Sequence, residues 1–149
     1  MEFETTLNEL KGCYDGLQKQ LIHRDMHYGN ILFSNCEFSG YIDFDLSQKN
    51  ARIFDICYFL IGCLIDHEKN EEKVEKWYHI VSKFIEGYQM INPLTKLEKD
   101  SICCLMRSIE LLFVAYFISK DDEMLAKGSA NLYYFVKNNE ERIQIAVYS

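Results

Sequence analysis

Proline occurs once in this chain, at Pro93, and glycine seven times with no two adjacent. So few turn-formers leave little room for long loops and predict a chain dominated by helices. No glycine-rich phosphate-cradling loop is present anywhere. Basic residues are outnumbered, 16 against 23 acidic, giving a net charge of −7. With no basic stripe to neutralise a phosphate backbone, a nucleic-acid partner is not expected. The six cysteines include no CxxC pair, and Cys103 and Cys104 are adjacent, so a disulfide framework is not expected either. The apolar runs Ile53–Ile65 and Leu111–Ile118 fall short of the ~18–20 residues of a membrane span and are predicted to be buried helices. Met1-Glu2-Phe3-Glu4 is acidic and has no apolar leader segment. Together these features predict a cytoplasmic protein with reduced thiols and no membrane partner.

What is present is a globular composition, 48% hydrophobic and 26% charged over 149 residues, with 10 Tyr and 10 Phe. That length fits one domain with a real core. Phe3, Leu7, Leu10, Tyr14 and Leu17 recur at helical spacing over residues 3–18. Leu21–Ile22 reads as a very short strand entering a polar loop, 23–30. Ile31–Phe33 and Gly40–Phe44 read as two strands joined by Ser34–Ser39, and Leu46–Asn50 as a loop. Strand signals then vanish. Helices are predicted over 51–66, from Val74 to just before Pro93, from Thr95 to about Lys120 with a Thr95/Glu98 capping box, over 122–137 and near 139–147. The Trp77 and Tyr88 face is assigned to the core, as are Cys57, Cys63, Cys103 and Cys104.

One constellation carries chemistry. Asp25, Asn30 five residues on and Asp43 thirteen beyond lie inside two short apolar runs. Phosphoryl transfer needs such a set: one carboxylate to accept the proton of a hydroxyl, and an amide and a second carboxylate to hold Mg²⁺ against a nucleotide phosphate.

His23-x-Asp25-x-His27-x-x-Asn30-Ile31-Leu32-Phe33, followed by Gly40-x-Ile42-Asp43-Phe44, resembles the motifs of the aminoglycoside phosphotransferase and choline kinase-like family. The resemblance is dense over about twenty-five residues and implies the C-terminal lobe of a protein-kinase-like fold. The fold class is therefore predicted as α+β and mostly helical, a small β-hairpin carrying catalytic and metal loops within 21–50, and a helical part over 51–149. Asp25 is then expected to be the catalytic base and His27 its possible helper. Asn30 and Asp43 are expected to ligate Mg²⁺ and the phosphates of ATP or GTP, with Asp45 a further candidate metal ligand. His23 and Asp55 are expected to brace the loop. Arg24 gives the His-Arg-Asp triplet of protein kinases, but Asp45 stands where Asp-Phe-Gly would need glycine. Zinc binding by His23 and His27 is not expected, since no further ligand sits at suitable spacing.

The resemblance also implies a nucleotide-binding small lobe, and several ~5–6 residue strands do not fit in the twenty residues before His23. The chain is therefore expected to be a fragment of a longer kinase acting on a small-molecule hydroxyl. The alternative is a catalytically incomplete lobe serving as a binding or self-associating scaffold through the uncovered interface. A helical interaction protein with an accidental motif is the remaining reading.

Overall fold

The computed structural model describes residues 2–149. It opens with α1 (Glu2–Tyr14), followed by β1 (Lys19–Ile22), β2 (Ile31–Ser34), β3 (Glu37–Tyr41) and β4 (Gln48–Ala51). Five helices complete it: α2 (Ile53–Gly62), α3 (Glu71–Ile91), α4 (Lys96–Ser119), α5 (Glu123–Asn138) and α6 (Glu140–Tyr148). The helical reading of the second half thus holds to within a few residues at most ends. The exception is α2, which stops at Gly62 and gives way to turns up to α3 rather than running to Asp66.

The β region departs from expectation in an instructive way. Asn35 and Cys36 both adopt left-handed backbone, at φ 51° and 64°, so a two-residue turn joins β2 to β3 where a longer connection was predicted. The ladder recovers its register through an irregularity beside Leu32 and Phe33. Residues 48–50, predicted as loop, and Ala51, predicted to open a helix, form β4, which pairs antiparallel with β1 from Lys19↔Ala51 to Ile22↔Gln48. Gln48, Lys49 and Asn50 gave no apolar alternation because this two-stranded ladder is largely solvated, with Ile22 and Ala51 its buried members. The result is two nested hairpins. The β2–β3 hairpin sits inside the β1–β4 ladder, and the 23–30 and 42–47 loops leave the same base side by side.

The core gathers Ile53, Cys57, Leu60 and Leu64 around α2, Trp77, Val81 and Ile85 of α3, and Ile102, Met106 and Ile109 of α4. The indole N–H of Trp77 donates to the Leu60 carbonyl at 2.7 Å, satisfying an α2 acceptor near its end. Tyr88 is partly buried against the same cluster. Docking of α1 is less apolar than its periodicity suggested. Phe3 and Leu7 are exposed, whereas Thr6 is buried and its hydroxyl shares a hydrogen bond with that of Tyr133 at 3.0 Å.

Every residue from Ser101 to Glu110 in α4 is buried, packed among α1, α2, α5 and α6. The more apolar run that follows was predicted to be buried and is not: Leu112, Tyr116 and Ile118 are exposed. By length and hydropathy α4 would suffice to cross a membrane, but 56% of its apolar window is buried inside the fold. A central helix of a globular bundle meets the same description.

The helical part is tied to the strands through Arg52, which directly follows β4. Its guanidinium forks onto Glu98, Nε to Oε1 at 2.6 Å and Nη2 to Oε2 at 2.8 Å. The same group donates to the Pro93 carbonyl at 2.7 Å and to the Asn92 side chain. Glu98 meanwhile closes the predicted capping box, its carboxylate accepting from the Thr95 backbone N–H at 2.8 Å. Both side chains are buried. Burial by itself would raise the Glu98 carboxyl, but hydrogen bonds from Arg52 and Thr95 outweigh it and hold the carboxyl below its ordinary value. Its contribution is therefore complete above the unfolded value of about 4.5 and lost as pH falls through the lower folded one. Glu98→Gln, which strands a buried guanidinium, is expected to lower the unfolding free energy by about 3–5 kcal/mol in urea titrations at pH 7. Replacing both partners with apolar residues should cost less than that single change.

Candidate active site

His23, the first residue after β1, is buried and points across to the second loop. Its Nε2–H donates to the Ile42 carbonyl at 2.7 Å, while its Nδ1 accepts the Asp25 backbone N–H at 3.4 Å. That pair of contacts selects the tautomer with the proton on Nε2. The Phe44 ring packs on the imidazole with centroids 4.6 Å apart. Ile42 in turn donates its N–H to the Asn30 carbonyl at 3.1 Å. The two loops are thus stitched together on both sides of Ile42, immediately before Asp43.

Asp55, in the first turn of α2, holds the 23–30 loop from below. Its two carboxylate oxygens accept the His23 and Arg24 backbone N–H groups, each at 2.8 Å. Arg24 sits at φ 73°, a region costly for a residue with a side chain. The Asp55 clamp is what holds that conformation, and it turns the next residue, Asp25, inward.

Three donors surround Asp25. Tyr58 Oη donates to Oδ1 at 2.9 Å, and Asn30 Nδ2 donates to Oδ2 at 3.2 Å and to the Asp25 carbonyl at 2.9 Å. His27 Nε2 stands 3.6 Å from Oδ2. The His27 ring is fixed by accepting the Gly29 N–H on Nδ1 at 3.0 Å, as it caps a 3₁₀ turn over Tyr28–Asn30. A Cβ at Gly29 would lie 2.8 Å from the His27 ring, so only glycine admits this arrangement.

The structure therefore brings Asp25, His27 and Asn30 into one cluster. Asp43 is attached to it only through its neighbour Ile42; it is exposed, at φ 62°, and no hydrogen bond or ion pair engages its carboxylate among the described residues. Asp45 is likewise exposed and unengaged. With the Asn30 NH₂ committed to Asp25, its amide oxygen is the atom left for a cation. Among the described residues no three His, Cys, Asp or Glu side chains converge as a metal cage. The available donors are one amide oxygen and one or two carboxylates. Such a hard-oxygen set suits Mg²⁺ completed by phosphate oxygens and does not suit zinc.

Two contributing residues escaped the sequence reading. Tyr58 follows Asp55 by three positions, so both lie on one face of α2, and that spacing was the available signal. Its hydroxyl is kept protonated, and hence a donor, by burial and by the Asp25 and Glu110 carboxyls. Glu110 is the other. It lines a cavity of about 710 Å³ between the 23–30 loop, α2, α4 and α5, whose walls also include His27, Tyr58, Phe113 and Ser129. A lone carboxylate inside the apolar stretch of α4 was its only mark. All six cysteines are free, with Cys57, Cys103 and Cys104 buried and Cys63 hydrogen-bonding the Tyr28 hydroxyl at 3.2 Å.

Comparison with known proteins follows from this geometry. A model of the phosphotransferase enzyme family matches residues 2–88, which include every loop residue described above. Homoserine kinase of Bartonella henselae is 29% identical over 96 residues, covering 63% of this chain and 28% of that one. Homoserine kinase of Polaromonas naphthalenivorans is 27% identical over 95 residues, covering 64% and 29%. Homoserine kinase of a Janthinobacterium species is 25% identical over 130 residues, covering 84% and 39%. The chain spans between 28% and 39% of the length of these relatives.

Two measurements test the arrangement without any ligand. Asp55→Ala removes two charge-assisted hydrogen bonds, each contributing about 1.5–3 kcal/mol. Amide exchange at His23 and Arg24 should accelerate by at least roughly tenfold, and by more than exchange in the buried stretch of α4, which follows global unfolding. Burial pushes the Glu110 carboxyl up to about 7, opposed only weakly by the Ser129 hydroxyl. Between about pH 4.5 and 7 the folded state then holds a proton that the unfolded state has released, so stability falls as pH rises across that window. The slope is at most about 1.4 kcal/mol per pH unit, and it should disappear in Glu110→Gln when unfolding is followed at several pH values.

Proposed function

The chain belongs to the phosphotransferase enzyme family, as the spacing of its loop residues implied, and from that premise we propose that it carries the acceptor-activating and metal-binding half of a Mg²⁺-dependent kinase. The reaction is transfer of the γ-phosphoryl group of ATP or GTP to a hydroxyl of a small molecule. The single observation that carries this reading is the Asp25 carboxylate. It is fixed by Tyr58 and Asn30, and Tyr58 and His27, which stand beside it, line a cavity large enough for a small substrate.

Asp25 acts as the base, orienting the acceptor hydroxyl and taking its proton as the phosphoryl group arrives. Tyr58 and Asn30 hold the carboxylate in one position, and His27 adds a third polar group beside Oδ2. Asn30, Asp43 and Asp45 would hold Mg²⁺, which would supply charge neutralisation at the nucleotide phosphates. His23 and Asp55 act only on the backbone of the two loops. Names of the homoserine kinase relatives support a hydroxyl-bearing small molecule as acceptor. A cytoplasmic setting fits the six free thiols.

A second reading rests on the surface of the inner hairpin and the 42–47 loop that follows it. Phe33, Phe38, Tyr41, Ile42, Phe44 and Leu46 are all exposed there, an apolar concentration of the kind that marks a binding face. On that reading the chain associates with another polypeptide, a second copy included, and turns over no substrate alone.

Titration with Mg²⁺ and ATP or GTP separates the two. The kinase reading expects saturable nucleotide binding that depends on Mg²⁺ and is weakened by Asp43→Asn at least about tenfold. Asp25→Asn should keep that binding and lower any turnover by about 10²–10⁴-fold. Absence of nucleotide binding, together with a concentration-dependent dimer in sedimentation, would favour the association module.

A further inference from the structure

Glu110 is 3% exposed, at the end of the buried stretch of α4, where α5 supplies one wall of the cavity. The Ser129 hydroxyl faces it from α5 and Tyr58 from α2, and His27, Asp66 and Glu68 stand around the same cavity. No lysine or arginine lines that space, and Arg107, one turn earlier on α4, is engaged by Glu9 and Glu140. A carboxyl so placed is tolerated while protonated and destabilises its surroundings once ionised, unless water reaches it. The facing part of α5 is the part that can let water in. Within 123–129 Ala126 and Ser129 alone are buried, whereas Leu132, Tyr133 and Val136 anchor the second half of the helix. Lifting these two turns therefore uncovers little apolar surface. Gly128 and Ser129 are adjacent, a pair at which helices kink, and glycine is a weak helix former. A Cβ at Gly128 would meet nothing within 4 Å, so packing does not demand glycine there. At the other end Asp121, at φ 54°, sits in the tight turn that leads from α4 into α5.

We propose that Glu110 is a pH-operated latch: protonated, it keeps the first two turns of α5 seated on α4, and ionised, it releases them and opens the cavity to water. Met124, Leu125, Gly128 and Ser129 form part of the cavity wall, so their release widens the space beside Tyr58 and His27. The latch depends neither on what the cavity binds nor on phosphoryl transfer. Burial pushes the Glu110 carboxyl up to about 7 while the segment is seated, and release returns it toward its ordinary value of 4.5. Between those values the seated form keeps a proton that the open form has lost. Opening therefore grows with pH by up to about tenfold per unit and levels off above neutrality.

The test is amide hydrogen exchange of the whole chain at about pH 5.5 and about pH 7.5, read as protection factors, with and without urea below the unfolding transition. The reporters are the amides of 126–129; the Ala126 N–H donates to the Asp122 carbonyl at 3.0 Å, and the next three follow at helical spacing. Their protection is expected to fall at least roughly tenfold from the lower to the higher pH, with little dependence on urea. Amides of 102–109 should stay better protected and show the urea dependence of global unfolding. Glu110→Gln should hold protection at 126–129 level across the two pH values. Gly128→Ala, which fills open space, should raise it about fivefold at both. Unchanged protection in the wild-type chain overturns the latch, as does a pH effect that survives in Glu110→Gln and so belongs to His27. A pH effect at 126–129 with the urea dependence of 102–109 is global unfolding and overturns it too. No effect of Gly128→Ala overturns the placement of the opening at Gly128–Ser129. The wild-type comparison and Gly128→Ala decide the matter even where Glu110→Gln does not fold.

Discussion

The buried fork between Arg52 and Glu98 is the contact through which the two parts of the molecule are fixed to one another. Arg52 ends the outer β ladder and begins α2, and Glu98 caps α4 while holding Arg52. A pair removed from water in this way gains little against an apolar replacement, but it becomes strongly destabilising when only one partner is lost. Its structural consequence is directional. A guanidinium with donors to Glu98, Asn92 and Pro93 fits one placement of the α3–α4 corner against the strands. The same α4 forms one wall of the cavity that opens beside the 23–30 loop, α2 and α5.

Within the strand region the same logic operates on a smaller scale. Two nested hairpins bring two loops together that are more than a dozen residues apart, and His23 and Ile42 lock them. The backbone of Arg24 and Asp43 lies in the left-handed region, which nonglycine residues avoid unless surrounding contacts impose it. For Arg24 the imposing contact is visible in the Asp55 carboxylate.

The division of α4 follows from where its neighbours end. Ten consecutive residues, Ser101 to Glu110, are buried, including Arg107. Arg107 is matched by Glu9 and Glu140, at 2.8 and 3.7 Å. Glu110, one turn further, has no such match and faces the cavity. The helix thereby changes from a structural axis into a cavity wall over a single turn, and hydropathy does not register the change.

Motif spacing was sufficient to read the family, the loop residues and most helix positions, because each is a local property. The Thr95/Glu98 box, the stop before Pro93 and the Asp25–Asn30 interval depend on backbone geometry within one element. The sequence alone did not disclose β4, the exposure of Phe3 and Leu7, the partly solvated end of α4, or the roles of Tyr58, Arg52 and Glu110. A polar strand such as 48–51 exists only because β1 pairs with it, and Arg52 is buried only because Glu98, forty-six positions on, is there to receive it. Sequence therefore determined the family and which loop residues were candidates for its site. Tertiary structure decided which of them meet, since hydrogen bonds and burial depend on distances that the order of residues does not contain.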